Sequence, residues 1–415
     1  MKARHKVLSI LFVTWIISGI DRMAISVAIP YIAADYQLTP MQSGILMSAF
    51  FAGYSLSQIP GGMLADRFGV RKVATLAMLW WSAFTAITGV AANFMQMLVV
   101  RFLFGLGEGV YPACAFKTIA TWFPRQERAT ANAIMLASNP LGVAISPLIV
   151  VAIMSVWGWK AVFFLLFIPG VLFAAVFWKL VADRPSEARN ITAAELTEIG
   201  QEELPGPGER KAGILEAVKE PNIIRYFLIL FSFNITFWGF TTWMPTYLVQ
   251  SRGFSMMQMG IVVSLPFFAG TVGSVLGGWI SDRYFSNRRR LAIVATQIPS
   301  AFFLYMTFTA SSPQMLIISQ TLAGFFLASF FTAFWALPMN TVPKKLMGVT
   351  SGFINMAGQI AAFISPLMLG FLVEAMGGDF NMTFLLLIVS LLISAMIALT
   401  LPGGPRPRSA SQADG

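Results

Sequence analysis

Four ionisable residues sit where an apolar chain should have none. Asp21 and Arg22 are neighbours within the apolar run from Trp15 to Pro30, and Arg101 and Glu108 bound a second apolar stretch. A charge at bilayer depth costs at least ~3 kcal/mol on insertion scales, so such residues are functional candidates by default. A spacing of seven puts Arg101 and Glu108 on one helix face, two turns apart. That face must look into a bundle, since lipid cannot solvate it. The four charges sum to zero. As a neutral quartet they could simply tie two helices together, but buried ion pairs contribute little net stability against apolar replacements. A switch accounts for them better. Protonating Asp21 or Glu108 leaves a positive charge that an anion can neutralise, so proton and anion would share one electrostatic balance. Lys117 lies nine residues after Glu108, about half a turn off its face, a mismatch that a bend at Pro112 would reduce. Two readings of Lys117 stand side by side: its amine snorkels to the surface, or it guards the inner mouth.

The elements that must position these residues are set by composition. Of 415 residues, 57% are hydrophobic and only 11% charged, against about 25% charged in soluble domains. No soluble core could hide that much apolar surface, so the chain reads as a multi-pass membrane protein. Runs of about 20 apolar residues give twelve spans, near 7–30, 43–65, 73–92, 96–122, 129–155, 161–181, 223–249, 258–281, 290–310, 313–340, 346–374 and 381–401. The expected division is an N-terminal six-helix bundle over 1–181, a polar linker over 182–222 holding Pro205-Gly-Pro-Gly208, a C-terminal six-helix bundle over 223–401, and a tail over 402–415. Thr192-Ala-Ala-Glu195 reads as a capping box that opens a short amphipathic helix in the linker.

The net charge of +10 needs no nucleic acid. Lys2, Arg4, Lys6, Arg67, Arg71, Lys72, Arg125, Arg128, Arg283, Arg288 to Arg290, Lys344, Lys345, Arg406 and Arg408 fall on one side with the linker. The opposite loops hold only Lys160 and Arg252. The positive-inside rule then places both termini and the linker in the cytoplasm. The basic N-terminus runs into a span without a small-residue cleavage signal and reads as a retained first helix. One cysteine, Cys114, excludes a disulfide framework and a cysteine metal site. The single histidine, His5, lies outside the first apolar run. No metal site, cofactor, phosphate loop or nucleophile elbow is expected, and no catalytic residue.

The two sets of six spans repeat. Met41-Gln-Ser-Gly-Ile-Leu-Met-Ser48 matches Met257-Gln-Met-Gly-Ile-Val-Val-Ser264, Gly61-Gly-Met-Leu-Ala-Asp66-Arg67 matches Gly277-Gly-Trp-Ile-Ser-Asp282-Arg283, and Ile145-Ser-Pro-Leu-Ile149 matches Ile364-Ser-Pro-Leu-Met368. Parallel repeats predict a site between the halves. The second half has no ionisable counterparts of Asp21 and Glu108. It has aromatic clusters around Phe231 to Trp243 and Phe325 to Trp335. Helix packing accounts for most of these. Trp238 and Trp335 are picked as cavity walls, and Asn355 and Gln359 as neutral hydrogen-bond partners.

The stretch Gly61 to Lys72, with its weaker copy Gly277 to Arg290, resembles the signature loop of the major facilitator superfamily. The resemblance implies an all-α fold of twelve transmembrane helices in two pseudo-symmetric six-helix bundles. It makes Gly62, Asp66, Arg67, Arg71, Asp282 and Arg283 a conformational-gating motif, whose acid caps the next helix or pairs across its half. Asp21-Arg22, Gly53-Tyr54 to Gly62, Arg101 to Glu108 and Thr121-Trp-Phe-Pro-Arg125-Gln-Glu127-Arg128 are similar more narrowly to the anion:cation symporter family. That likeness implies that Asp21 and Glu108 carry protons and that Arg22, Arg101, Tyr54, Asn139 and Asn355 meet an organic anion. Gly19 stands where some sugar-acid members carry Tyr, and Asn139 where some carry Gln. The expected function is proton-coupled import of an organic anion, a monocarboxylate such as a sugar acid, by a monomer in the cytoplasmic (inner) membrane. An aromatic or small hydrophobic carboxylate is the competing substrate, and an exchanger or drug:proton antiporter of the same fold the competing transport mode. The partners are then the anion, the proton and the lipid bilayer.

Overall fold

The computed structural model describes residues 2–188, 191–200, 220, 222–286, 288–343 and 346–402. Pro205 to Gly208, Lys344, Lys345, Arg406 and Arg408 lie outside the described residues. In chain order the long helices are α1 (Ala3–Tyr36), α2 (Pro40–Phe68), α3 (Val70–Thr88), α4 (Phe94–Glu108), α5 (Tyr111–Trp122) and α6 (Arg125–Leu180). After the short linker helix α7 (Ala193–Ile199) come α8 (Ile223–Gln250), α9 (Met256–Tyr284), α10 (Arg289–Phe308), α11 (Pro313–Thr341), α12 (Met347–Ala375) and α13 (Asn381–Leu399). No strand occurs among the described residues. They contain nine helices long and apolar enough to cross a membrane. Counting α2 and α3, and dividing α6 at Gly158, gives twelve spans, the number the resemblance implies.

Two departures from single straight spans have local causes. The fourth span breaks into α4 and α5 because Pro112 has no N–H to continue the ladder, so α4 ends on Glu108 and Gly109 caps it. The expected bend at Pro112 is thus a break one turn earlier, immediately after the proposed proton site. Spans five and six run together through Gly158, whose φ of 77° is a left-handed value that glycine adopts at no steric cost.

The described residues form two compact units. The first holds the described residues within 2–200 with 238–267 and 362–383. The second holds those within 220–237, 268–361 and 384–402. Within the first unit α2 meets the 362–383 stretch closely. A Cβ on Gly44 would sit 3.3 Å from the Gly370 Cα, and one on Gly370 3.2 Å from the Gly44 Cα. Glu374 Oε2 accepts the Met41 N–H at 3.0 Å. Within the second unit the aromatic clusters pack on each other. Phe233 stacks on Phe330 at 3.6 Å between ring centroids, and Phe330 on Phe334 at 5.3 Å.

The repeat is visible in local chemistry. Thr39 and Gln42 form a full capping box at α2, and Ser255 with Gln258 form its copy at α9. The box read at Thr192–Glu195 is only half made. Thr192 accepts the Glu195 N–H, but the Glu195 carboxylate turns away and accepts Ala3 N–H at 3.0 Å and Arg4 N–H at 2.9 Å. The linker helix therefore caps α1 rather than itself. Arg4 completes the junction with ion pairs to Glu198 at 2.7 Å and Glu127 at 2.9 Å, and Lys2 pairs with Glu198 at 2.6 Å.

Glu195→Ala should strip the cap from α1 at a cost of about 1 kcal/mol. Amide exchange at Ala3 and Arg4 should rise about fivefold, with the rest of α1 unchanged. Hydrogen bonds from Lys2 and Arg4 hold the Glu198 carboxyl below its ordinary 4.5. A depressed carboxylate contributes stability above its unfolded pKa and loses it as pH falls through the folded one. Protection of this junction should therefore be flat from neutral pH to about 5 and decline only below 4.5.

Candidate functional site

The site is built where α1, α2, α3 and α4 converge. α2 and α4 come so close that a Cβ on Gly53 would strike the Phe102 carbonyl and one on Gly105 the Phe50 carbonyl. Small residues let helix backbones approach in this way. The approach places Arg101 over Phe104 at 4.5 Å and over Phe50 at 5.4 Å. Arg22, from α1, lies over the Tyr54 ring at 4.9 Å and Phe50 at 5.3 Å. One layer of aromatic faces thus carries both guanidinium groups.

The partners are not those that helical spacing brings to mind. Glu108 shares a helix with Arg101, yet its ion pair is with Arg22, at 2.6 Å. Glu108 Oε1 also accepts the Ser18 hydroxyl at 2.6 Å and Arg22 Nε at 3.2 Å. Three donor groups converge on that one oxygen. Glu108 Oε2 is buried and has no hydrogen-bond partner. Asp21, 2% exposed, has no partner on either oxygen. Its electrostatic neighbours are Glu108 and Arg101, with the Trp81 indole N–H of α3 beside it, itself lacking a partner at normal hydrogen-bond distance. Arg101, also 2% exposed, makes no ion pair among the described residues, and its Nε is buried without a partner. Ser18 lies one turn before Asp21 and Arg22 on α1. That periodicity was the one signal from which its role could have been read.

A cavity of about 20 Å³ lies against these groups, lined by Arg22, Arg101, Phe50, Phe51, Trp238 and Thr242 among others. A volume of 10–15 Å³ on this measure holds one water, so a sugar-sized anion enters only after the walls part. Trp238 meets Phe51 edge-on at 4.7 Å and is one of the residues around the cavity. Thr241, Thr242, Ser26 and Met23 line the cavity too and carried no sequence signal. Tyr54 lies beneath Arg22 rather than in the lining. Asn139 presents a buried Nδ2 without a partner, and a Cβ on Gly19 would come within 2.8 Å of the Asn139 carbonyl oxygen. Trp335, Asn355 and Gln359 belong to the second unit. Trp335 packs on Phe334 at 5.5 Å, Asn355 is exposed and Gln359 partly so.

The signature loop joins the end of α2 to the start of α3. Asp66 pairs with Lys117 at 2.7 Å, and Lys117 Nζ also donates to the Ala65 carbonyl at 2.9 Å. Lys117 thus reaches the end of α2 and ties it to α5. The next helix is capped not by Asp66 but by Asp183, which accepts the Arg71 N–H at 2.9 Å. Arg71 stacks on Trp178 at 4.5 Å and donates to its carbonyl at 2.6 Å. Arg67 lies over Phe68 at 5.1 Å. In the copy, Asp282 pairs with Arg289 at 3.0 Å, and Arg283 is exposed.

The sequence profile of the Major Facilitator Superfamily matches residues 11–366 and, in a second register, 285–415. The chain is 31% identical to a probable sulfoacetate transporter, SauU, of Cupriavidus necator, over 96% of this chain and 94% of that protein. It is 30% identical to the hexuronate transporter of Bacillus subtilis, over 93% and 91%. It is 31% identical to a probable galactarate/D-glucarate transporter, GarP, of Escherichia coli K12, over 89% and 88%. The fold matches the crystal structure of a bacterial homologue of the human lysosomal transporter Spinster in an inward-facing, occupied conformation, with TM-score 0.79 and 19% identity over 95% of each chain.

In both repeats the close helix approach rests on the first glycine of the pair. A Cβ on Gly61 would lie 2.7 Å from the Val110 Cα, and one on Gly277 2.7 Å from the Ser329 Cβ, whereas Gly62 and Gly278 have their nearest neighbours at 3.8 and 3.7 Å. Gly61→Ala and Gly277→Ala should each cost about 1–3 kcal/mol through forced overpacking and reduce folded yield. Gly62→Ala and Gly278→Ala should be tolerated. Yield and thermal unfolding midpoint of the four variants check this.

Proposed function

Because the chain belongs to the Major Facilitator Superfamily of membrane transporters, we propose that it is a proton-coupled symporter that imports an organic anion across the cytoplasmic membrane by alternating access. The observation that carries this reading is a buried arginine without an acid. Arg101 lines the cavity with no ion pair among the described residues, beside an Asp21 whose two oxygens are unbonded. Burying an unpaired charge is costly, and a carboxylate or sulfonate taking up Arg101 relieves that cost. The names of the relatives, transporters of sulfoacetate, hexuronate and galactarate/D-glucarate, support an anionic substrate, with a sugar acid first among candidates. Intramembrane arginines count against a cationic drug. The apolar lining of Phe50, Phe51, Met47 and Trp238 favours an aromatic or small hydrophobic carboxylate as the second reading.

The coupling follows from charge. With both acids ionised, the quartet is neutral and an incoming anion meets no net attraction. A proton on Asp21 or on the free Oε2 of Glu108 leaves one positive charge for the anion. Oε2 takes that proton without disturbing the Ser18 and Arg22 bonds on Oε1. The halves 1–181 and 223–401 then rock about the site, with termini and linker cytoplasmic by the positive-inside rule. Opening to the outside breaks the Glu374–Met41 and Gly44–Gly370 contacts, which lie away from the basic loops. The working unit is the monomer.

Substrate-dependent alkalinisation of the medium around cells, tested over sugar acids, sulfonates and aromatic carboxylates, is the deciding measurement. Sodium-driven uptake without pH dependence overturns the proton assignment. Glu108→Gln should lose pH-gradient-driven accumulation at least tenfold while keeping substrate exchange between two loaded sides. Full accumulation by that variant makes Glu108 structural. Arg101→Ala should lose anion binding by about 100-fold, the ~3 kcal/mol scale of a charge-assisted contact. Unchanged binding removes Arg101 from the site.

A further inference from the structure

Helix α3 presents an exposed ridge with a groove on each flank. Lys72, Leu76, Leu79 and Trp80 are exposed along it at helical spacing. One groove, of about 520 Å³, lies between α3 and α6 and is lined by Lys72, Leu76, Leu79, Val171, Trp178 and Lys179. The other, of about 480 Å³, runs against α2 and α4 and is lined by Phe68, Lys72, Leu76, Trp80 and Leu106. Lys72 and Leu76 line both. Two apolar grooves therefore meet under one ammonium group at one end of α3. From Lys72 to Leu79 and from Lys179 to Val171 the helices run about 10–12 Å, most of the ~15 Å depth of one leaflet.

The charges at that end are unbalanced. The neighbouring acids are engaged elsewhere, Asp66 with Lys117 and Asp183 with the Arg71 N–H. The Arg71 guanidinium is spent on the Trp178 ring and carbonyl. Lys72 and Lys179 are both exposed, and neither has an ion pair or hydrogen bond among the described residues. This end carries the basic loops that the positive-inside reading assigns to the cytoplasm, where the leaflet is anionic.

We infer that the α3 ridge is a binding site for an anionic glycerophospholipid of the inner leaflet, its phosphate held by Lys72 and Lys179 and its two acyl chains laid one in each groove. The twin-groove shape calls for two chains on one headgroup, and the paired free lysines select negative charge. A zwitterionic lipid fills the same grooves, but its own ammonium opposes the lysines. A single-chain amphiphile leaves one groove to bulk lipid. The site is separate from the transport cavity, so it stands or falls independently of the substrate assignment.

Native mass spectrometry of the purified full-length protein, exposed to equal amounts of phosphatidylglycerol and phosphatidylcholine of matched chains, tests the inference. The wild type should retain phosphatidylglycerol preferentially. Each lysine near the surface is worth about 1 kcal/mol, so Lys72→Gln and Lys179→Gln should each lower that preference about fivefold, and the double variant should abolish it. Lys72→Arg with Lys179→Arg should keep it. Ala175→Trp fills the α3–α6 groove without touching charge and should also release the lipid. These positions are exposed, and matching thermal unfolding midpoints of the lipid-free proteins check that the variants are folded. Equal retention of the two lipids by the wild type overturns the inference. So does an undiminished preference in the double glutamine variant.

Discussion

The constraint on which the rest of this structure depends is the cost of charge in hydrocarbon. Asp21, Arg22, Arg101 and Glu108 share one neighbourhood because each alone would be prohibitive at that depth. They are not paired off evenly. Arg22 and Glu108 form a tight contact joined by Ser18, while Asp21 and Arg101 have no direct bond among the described residues. A structural device would pair all four, because a half-satisfied polar network is worse than an apolar core. Here Arg101 lines the cavity without an ion pair among the described residues, and both oxygens of the neighbouring Asp21 are unbonded.

Helix proximity makes that arrangement possible. Gly53 with Gly105 brings α2 against α4, Gly19 with Gly142 brings α1 against α6, and Gly61 lies on Val110 just beyond the break in the fourth span. These approaches bring the aromatic faces of Phe50, Tyr54 and Phe104 under the two guanidinium groups. The break at Gly109 ends α4 on Glu108 itself. The second half has the same kind of close approach at Gly277 and Ser329, without ionisable counterparts of Asp21 and Glu108.

The ends of the helices are tied by contacts of long sequence separation. Glu195 caps α1, Asp183 caps α3 and Glu374 caps α2. Each is a carboxylate at a helix N-terminus, where the dipole and the free N–H groups favour negative charge. Two of the three acids, Asp183 and Glu195, lie in the linker between spans six and seven, so the linker region serves as a clamp on the first bundle as well as a connection. The exposed ion pairs beside them, Lys117 with Asp66 and Lys2 with Glu198, are screened by solvent and add little to stability.

Sequence alone determined the twelve spans, the repeat, the four intramembrane charges and the family, because bilayer thickness, helical period and insertion cost are local or compositional constraints. Tertiary structure decided the pairing. Helical spacing put Arg101 and Glu108 on one face, but the carboxylate went to Arg22, since the rotation and crossing of α1 against α4 set that distance. In the same way Glu195 left its own helix to cap α1, Lys117 reached Asp66, and Thr241 and Thr242 arrived at the cavity from the far half of the chain. None of these is periodic or local. Each depends on how helices that are distant in sequence pack, and a one-dimensional pattern does not carry that packing.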